Sequence, residues 1–271
     1  MIAYICAACG VQFAETPSPP ERCPVCEDSR AFGSERGNHQ RWTTLAELRT
    51  GHRNRLRELE PDVVSIGTEP WFSVGQHCLL ARGASGNILW DCISLIDDAT
   101  VAAVRALGGI SMIAISHPHF YTSMVEWSRA FGNVPIYLHA ADRQWVLRPD
   151  SAVVPWDGDT LQLNDEFTLV RCGGHFDGAT VLHWAARADR PGRLLSGDTI
   201  HVVEDGETVT FMHNFPKRIP LPAAAIRRLV DAIEPFEFER IYGCWPANVL
   251  PAGGKHAVLR SAERYIEDLA L

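Results

Sequence analysis

From about residue 62 onward, short apolar runs alternate with polar breaks, and this spacing predicts mixed strands and helices. "HCLLA" and "NILWDCISLI" are apolar runs separated by "RGASG", which reads as a hairpin. "ISMIAIS" is nearly continuous in its apolar character, as expected of a strand covered on both faces. "VPIYLHA", "FTLVRCGG", "ATVLHWAA" and "GRLLSGD" follow as further strands. "ATVAAVRALGG" reads as a helix ended by glycine, and "PLPAAAIRRLVDAIEPF" and "GKHAVLRSAERYIEDLAL" as late helices. The order suggests an α/β sandwich with sheets inside and helices on the outer faces.

Upstream the pattern differs. Residues 41–60, "RWTTLAELRTGHRNRLRELE", place Leu45, Leu48, Leu56 and Leu59 at helix-like spacing. Thr43 or Thr44 can cap the start, Gly51 can divide it and Pro61 stops it, so one polar helix or two short ones are expected. Residues 1–35 are rich in cysteine and poor in aliphatic side chains, too poor to bury a core of their own. The expected organisation is a metal knuckle over 1–35, a helical linker over 36–61 and the main domain over 62–271.

Length and composition permit one large core with a small appendage: 271 residues, 46% of them hydrophobic. The net charge of −8 argues against general affinity for a nucleic acid backbone. No run approaches the roughly 20 apolar residues a membrane helix needs, and "MIAYICAACG" lacks the basic and long apolar regions of a secretory signal. The eight cysteines then suit a reducing cytoplasm, where clustered thiols read as metal ligands.

Cys6 and Cys9 form one C-x-x-C, and Cys23 and Cys26 another. Each such turn aims two thiolates at one point, and two turns close a tetrahedral shell. Gly10 and Pro24 suit tight knuckle turns. The arrangement resembles a rubredoxin-type knuckle or a zinc ribbon, and spacing alone does not separate zinc from iron. A segment this small depends on its metal to fold, and it could also dock a protein partner.

His117 and His119 follow the run "ISMIAIS", and Ser123 and Glu126 have capping-box spacing for a helix just beyond. The two histidines therefore belong to a loop at the C-terminal end of a strand, a usual ligand location in α/β folds. His175 sits in a glycine-flanked turn, Asp198 ends the run "LLSG", and Asp91 ends "ILW". An acidic residue at such a strand end is well placed to bind a metal or to orient a ligand.

With these residues in hand, the chain resembles the metallo-β-lactamase superfamily over roughly residues 65–250. The resemblance implies an αββα sandwich with a metal site at one edge of its two sheets. The superfamily motif H-x-H-x-D-H matches at His117 and His119, the glycine-turn histidine at His175, the bridging aspartate at Asp198 and the early aspartate at Asp91. Tyr121 and Thr122 stand where the motif has its aspartate and next histidine. The final histidine should follow "ERIYG", where the chain has Cys244 and Trp245. The resemblance thus implies a complete first-metal set, His117, His119, His175 and Asp198. The three ligands exclusive to a second metal are missing, so a mononuclear zinc or iron site is expected.

That implies a metal-dependent hydrolase of a small ester, thioester or lactone, with Asp198, Asp91 and Tyr121 as catalytic candidates. The alternatives are an iron-dependent oxidoreductase that uses the knuckle for electron transfer, and a non-catalytic metal-binding scaffold. Tyr121 is a proton donor, a plug or a packing residue. His201, His213 and Asp177 are candidates for the surroundings of the site. His139 and His183 read as structural, Cys78, Cys92 and Cys172 as core thiols, and Cys244 as a thiol near the site edge.

Overall fold

The computed structural model describes residues 1–30, 41–215 and 217–270. The expected boundary between knuckle and linker, at 35/36, lies outside the described residues. The chain divides into two compact units, one of Met1–Leu138 with Arg143–Pro155, the other of His139–Asp142 with the chain from Trp156 onward.

The first unit is built on a seven-stranded sheet. Its order is Val153–Trp156, Ile136–His139, Met112–Ala114, Gly86–Trp90, His77–Gly83, Val63–Glu69, Arg53–Glu60. The expected hairpin is present: His77–Gly83 pairs antiparallel with Gly86–Trp90. Met112–Ala114 lies parallel between Gly86–Trp90 and Ile136–His139, an interior position that accounts for its unbroken apolar run. The cysteine segment adds a three-stranded sheet, ordered Gln12–Thr16, Ile2–Cys6, Trp42–Thr43.

Residues 41–60 correct the sequence expectation. Only Leu45–Gly51 is helical, and Thr44 caps it in a reciprocal capping box with Glu47. Arg53–Glu60 is instead an edge strand paired with Val63–Glu69. Its exposed arginines guard that edge against further pairing. Along it Asn54 and Leu56 are half-buried while Arg53, Arg55 and Arg57 are exposed, and Asn54 Nδ2 donates to the Leu95 carbonyl at 3.0 Å. The three-residue step from Leu56 to Leu59 mimics a helix because a bulge between Glu58 and Glu60 adds a residue to the strand.

A second correction concerns Ser123. The helix Met124–Ala130 starts where expected, but Ser123 has φ −94° and ψ 38° and makes no side-chain cap. That backbone geometry is not the extended one an N-cap needs, and the Glu126 carboxylate is taken by buried Arg148 at 2.6 Å.

The second unit carries a six-stranded sheet ordered Thr160–Gln162, Phe167–Arg171, Thr180–Trp184, Arg193–Gly197, Arg240–Gly243, Val249–Leu250. The helices Ala223–Ile233 and Gly254–Asp268 supply its core together with Val170, Val181, Leu194 and Ile241. Ile226, Leu229 and Ile233 recur at helical spacing and are buried; each such side chain contributes about 1.5–3 kcal/mol. His139 and His183 are structural, as expected: their Nε2 atoms lie 3.0 Å from the carbonyls of Gly158 and Glu237. Across both units Cys78, Cys92 and Cys172 are core thiols, and burial pushes Cys172 up to about 12.

Candidate metal centres

Ile2–Cys6 delivers Cys6 to the first turn, where Gly10 takes φ +83° and its N–H returns to the Cys6 carbonyl at 2.8 Å. Cys23 precedes the single-turn helix Pro24–Glu27, which begins with proline and presents Cys26 from its third residue. One sulfur from each of Cys6, Cys9, Cys23 and Cys26 lies within 4.8 Å of all the others. Cys6 and Cys26 are 3.6 Å apart, as are Cys9 and Cys23. Four sulfurs held tetrahedrally at about 2.3 Å from a zinc ion stand roughly 3.8 Å apart, so the cluster fits a metal. A disulfide would need about 2.05 Å. Hydrogen bonds from the Cys23 and Cys26 thiols push Cys6 down, whereas Cys9 and Cys26 are pushed up, chiefly by their hydrogen bonds with Cys23.

In the first unit, His117 follows the interior strand in extended conformation, and His119 lies in the 3-10 turn Pro118–Phe120. Their donor atoms lie within 4.8 Å of each other. Asp91, at φ +65°, accepts both the backbone N–H and the hydroxyl of Ser116 on one oxygen, each at 2.7 Å. Ser116 Oγ also lies 2.9 Å from His117 Nδ1. The hydroxyl has one proton and gives it to Asp91, so its oxygen accepts from His117 Nδ1–H. That sets the tautomer and puts the ring's lone pair on Nε2. Tyr121 and Thr122 are both buried, and the Thr122 carbonyl accepts from Gln12 N–H at 3.3 Å.

In the second unit, His175 occupies the turn after Gly173 and Gly174, which take φ +65° and +83°. His175 Nδ1 lies 3.0 Å from the His213 carbonyl and donates to it, again leaving the lone pair on Nε2. Asp198 leaves the strand Arg193–Gly197 buried, and His175 and Asp198 offer donor atoms within 4.8 Å of each other. Cys244 is buried just past Gly243, whose register partner is Gly197, so Cys244 and Asp198 leave adjacent parallel strands at the same end. His201 packs its ring against Phe215 and Trp245, with centroids 4.9 and 6.1 Å away, and burial lowers its pKa.

Of the other candidates, His213 takes part through its carbonyl, which holds His175. Asp177 is exposed, and its carbonyl receives Arg171 Nε at 2.9 Å. Sequence reasoning missed Ser116, whose only signal is a hydroxyl residue closing an apolar run. It also missed Gln76, a single polar residue ahead of "HCLLA" that is buried and bonded to the His119 carbonyl at 3.2 Å.

Comparison with solved structures identifies the fold. VMB-1 matches with a TM-score of 0.58 at 10% identity, covering 80% of this chain and 98% of its own. The DIM-1 metallo-β-lactamase matches with 0.58 at 11% identity, over 79% of this chain and 98% of its own. A B3 metallo-β-lactamase with an active-site glutamic acid gives 0.51 at 13%, over 80% of this chain and 91% of its own. The fold class read from the sequence, a metallo-β-lactamase-like α/β fold with a small N-terminal cysteine module, therefore holds. No family model matches the chain. In sequence it is 42% identical over 268 residues to the uncharacterised protein YmaE of Bacillus subtilis (strain 168), covering 98% of this chain and 96% of that protein. Built on the metallo-β-lactamase fold, the chain belongs to the same family as YmaE.

Proposed function

We propose that the protein is a metal-dependent hydrolase in which His117, His119, His175 and Asp198 hold a single zinc or iron ion, and that it cleaves an ester, thioester or lactone in a small molecule. The observation that carries this reading is the pair of fixed tautomers: the Nδ1–H groups of His117 and His175 are each committed to an oxygen, which turns both Nε2 lone pairs into ligands. Within each unit the two candidate ligands offer donor atoms within 4.8 Å of each other, and three imidazoles with one carboxylate are a donor set suited to zinc or iron.

Such an ion, when bound, supplies Lewis acidity toward a substrate carbonyl and lowers the pKa of water toward neutrality. The chain does the rest. Asp91, through Ser116, holds the His117 ring in one orientation, and the His213 carbonyl does the same for His175. Asp198 would give a carboxylate oxygen to the ion. Tyr121, buried beside the histidine turn, takes the place of a second-metal ligand as a plug or as a proton donor. Without a second metal, in-line phosphodiester cleavage lacks one of its two clamps, which favours acyl chemistry. All eight cysteines are free thiols, as suits the cytoplasm, and among the described residues no helix is long and apolar enough to cross a membrane.

The test is hydrolysis of an ester, thioester and lactone panel by purified protein. Activity should vanish with a chelator that leaves the cysteine cluster filled, and should return with added zinc. Inactivity on the whole panel, in a red protein that a rubredoxin or ferredoxin reductase reduces, would replace this reading with the iron-dependent oxidoreductase. Inactivity in a colourless, metal-loaded protein would replace it with the scaffold.

A further inference from the structure

The turn that carries Cys9 is fastened to the rest of the first unit through three consecutive carbonyls. Ser73 Oγ donates to the Ala8 carbonyl at 3.0 Å, Gln76 Nε2 to Cys9 at 2.7 Å and Ser94 Oγ to Gly10 at 2.8 Å. The approach is close: a Cβ on Gly10 would stand 2.6 Å from Ser94 Oγ and 3.3 Å from Gln76 Nε2. Gln76 differs from the other two donors. Its Nε2 also donates to the His119 carbonyl, at 3.2 Å. Both acceptors are carbonyls, so the amide nitrogen must face them and the orientation of the side chain is unambiguous. One buried amide therefore spends its two N–H groups on the cysteine turn and on the histidine turn.

The same two segments meet twice more. Gln12 N–H donates to the Thr122 carbonyl, and buried Arg148 bonds both Gln12 and Glu126. The chain from His119 to Glu126 is thus tied to the cysteine segment at three points. An isolated cysteine knuckle loses its order when its metal leaves. Here the histidine turn would lose its anchors at the same moment.

We propose that Gln76 is a positioning residue that clamps the His119 turn to the first cysteine turn, so that a filled cysteine cluster is required for full metal affinity at the histidine centre. The inference rests on the metal-binding reading above. It assigns the cysteine module a task inside this chain: it is a keystone of the neighbouring metal centre. Coupling of this kind is reciprocal, so metal at the histidine centre must tighten metal at the cysteines by the same factor.

Two variants of the full chain test it, Gln76→Leu, which removes both donors, and Gln76→Glu, which keeps the shape but cannot offer two N–H groups. Cobalt(II) is the probe, since thiolate-to-cobalt bands in the near ultraviolet report the cysteine cluster separately from the histidine centre. Both variants should keep those bands, while cobalt affinity at the histidine centre, measured against a competing chelator, falls about 10–100-fold, the range for loss of a residue that orients a ligand. Ser73→Gly, which frees the Ala8 carbonyl without touching His119, should leave that affinity within about twofold of wild type, a change worth less than about 0.5 kcal/mol. Wild-type affinity in both Gln76 variants, or an equal loss in Ser73→Gly, would overturn the clamp alone. A wild-type chain that takes up no cobalt beyond the cysteine cluster would overturn the hydrolase reading and the clamp with it.

Discussion

Ser116 gives both its backbone N–H and its hydroxyl to a single carboxylate oxygen of Asp91, each at 2.7 Å, while Asp91 itself sits in the left-handed region at φ +65°. Two charge-assisted bonds and an unusual backbone thus meet at one buried residue. Asp and Asn tolerate that conformation better than other side chains with a Cβ. Asp91→Ala should therefore cost on the order of 2–3 kcal/mol, because it strands two buried donors, whereas Asp91→Asn keeps an acceptor and should cost less. Urea unfolding of both variants measures the difference. Ser116→Ala should leave stability closer to wild type and weaken metal binding through the unheld His117 ring, by roughly 10–100-fold.

A pH dependence of folding follows from His183. Burial holds its pKa below the ordinary value, opposed by its bond to the Glu237 carbonyl. A histidine depressed in the folded state stabilises fully above the unfolded pKa of about 6.5. As pH falls through that value the unfolded chain takes up the proton first, so this contribution is lost on the way down to the folded pKa. The stability difference between wild type and His183→Phe should shrink between about pH 7.5 and 5.5. Taking the difference cancels the acid lability of the metal centres. A gap that stays constant with pH would mean that His183 does not titrate in this window.

The sequence disclosed those parts of the molecule in which residue type and local spacing carry the physics. Cys6, Cys9, Cys23 and Cys26 had to meet because two short turns leave their thiols few other places to point. The strand Met112–Ala114 was legible because an interior parallel strand admits few polar side chains. Arg53–Glu60 was misread because a bulge at Glu58–Glu60 imitates the leucine spacing of a helix. The cap expected at Ser123 did not form because the Ser123 backbone is not extended, and the reciprocal half of the box is lost because Glu126 is claimed by Arg148, 22 residues away. The carbonyls of Cys9, His119 and His213 left no mark at all, since any residue supplies a carbonyl and only the fold decides which ones face a donor, and Gln76 showed only as one polar residue ahead of an apolar run.

Gly10 offers a test of how tightly the cysteine turn is seated. It takes φ +83°, and a Cβ there would meet Ser94 Oγ at 2.6 Å. Gly10→Ala should destabilise by about 1–2 kcal/mol for the backbone alone, with roughly 1 kcal/mol more if the Ser94 bond breaks. Adding Ser94→Gly should relieve the steric part, so the double variant should be more stable than the sum of the two single losses predicts. Strict additivity in urea unfolding would show that the turn has room to shift.

Metal stoichiometry decides between a mononuclear and a dinuclear histidine centre. The sulfurs of the four cysteines lie together, and the function proposed above gives one further ion to His117, His119, His175 and Asp198. At the positions where a second ion would need ligands, the chain has Tyr121 and Thr122, both buried, the latter with its carbonyl committed to Gln12. Cys244, buried beyond Gly243, stands in the sequence where the superfamily resemblance would put a final histidine. If it supplied a ligand, Cys244→Ser would lower the metal count. The expected outcome by elemental analysis and native mass spectrometry is two metals per chain in wild type and in Tyr121→Phe and Cys244→Ser, and one in His117→Ala and His175→Ala. The metal that remains in those histidine variants should leave only when the cysteines are alkylated. A third equivalent in wild type, with a metal pair about 3.5–4 Å apart, would show that the histidine centre recruits ligands outside the motif positions, and Cys244 would be the first to examine.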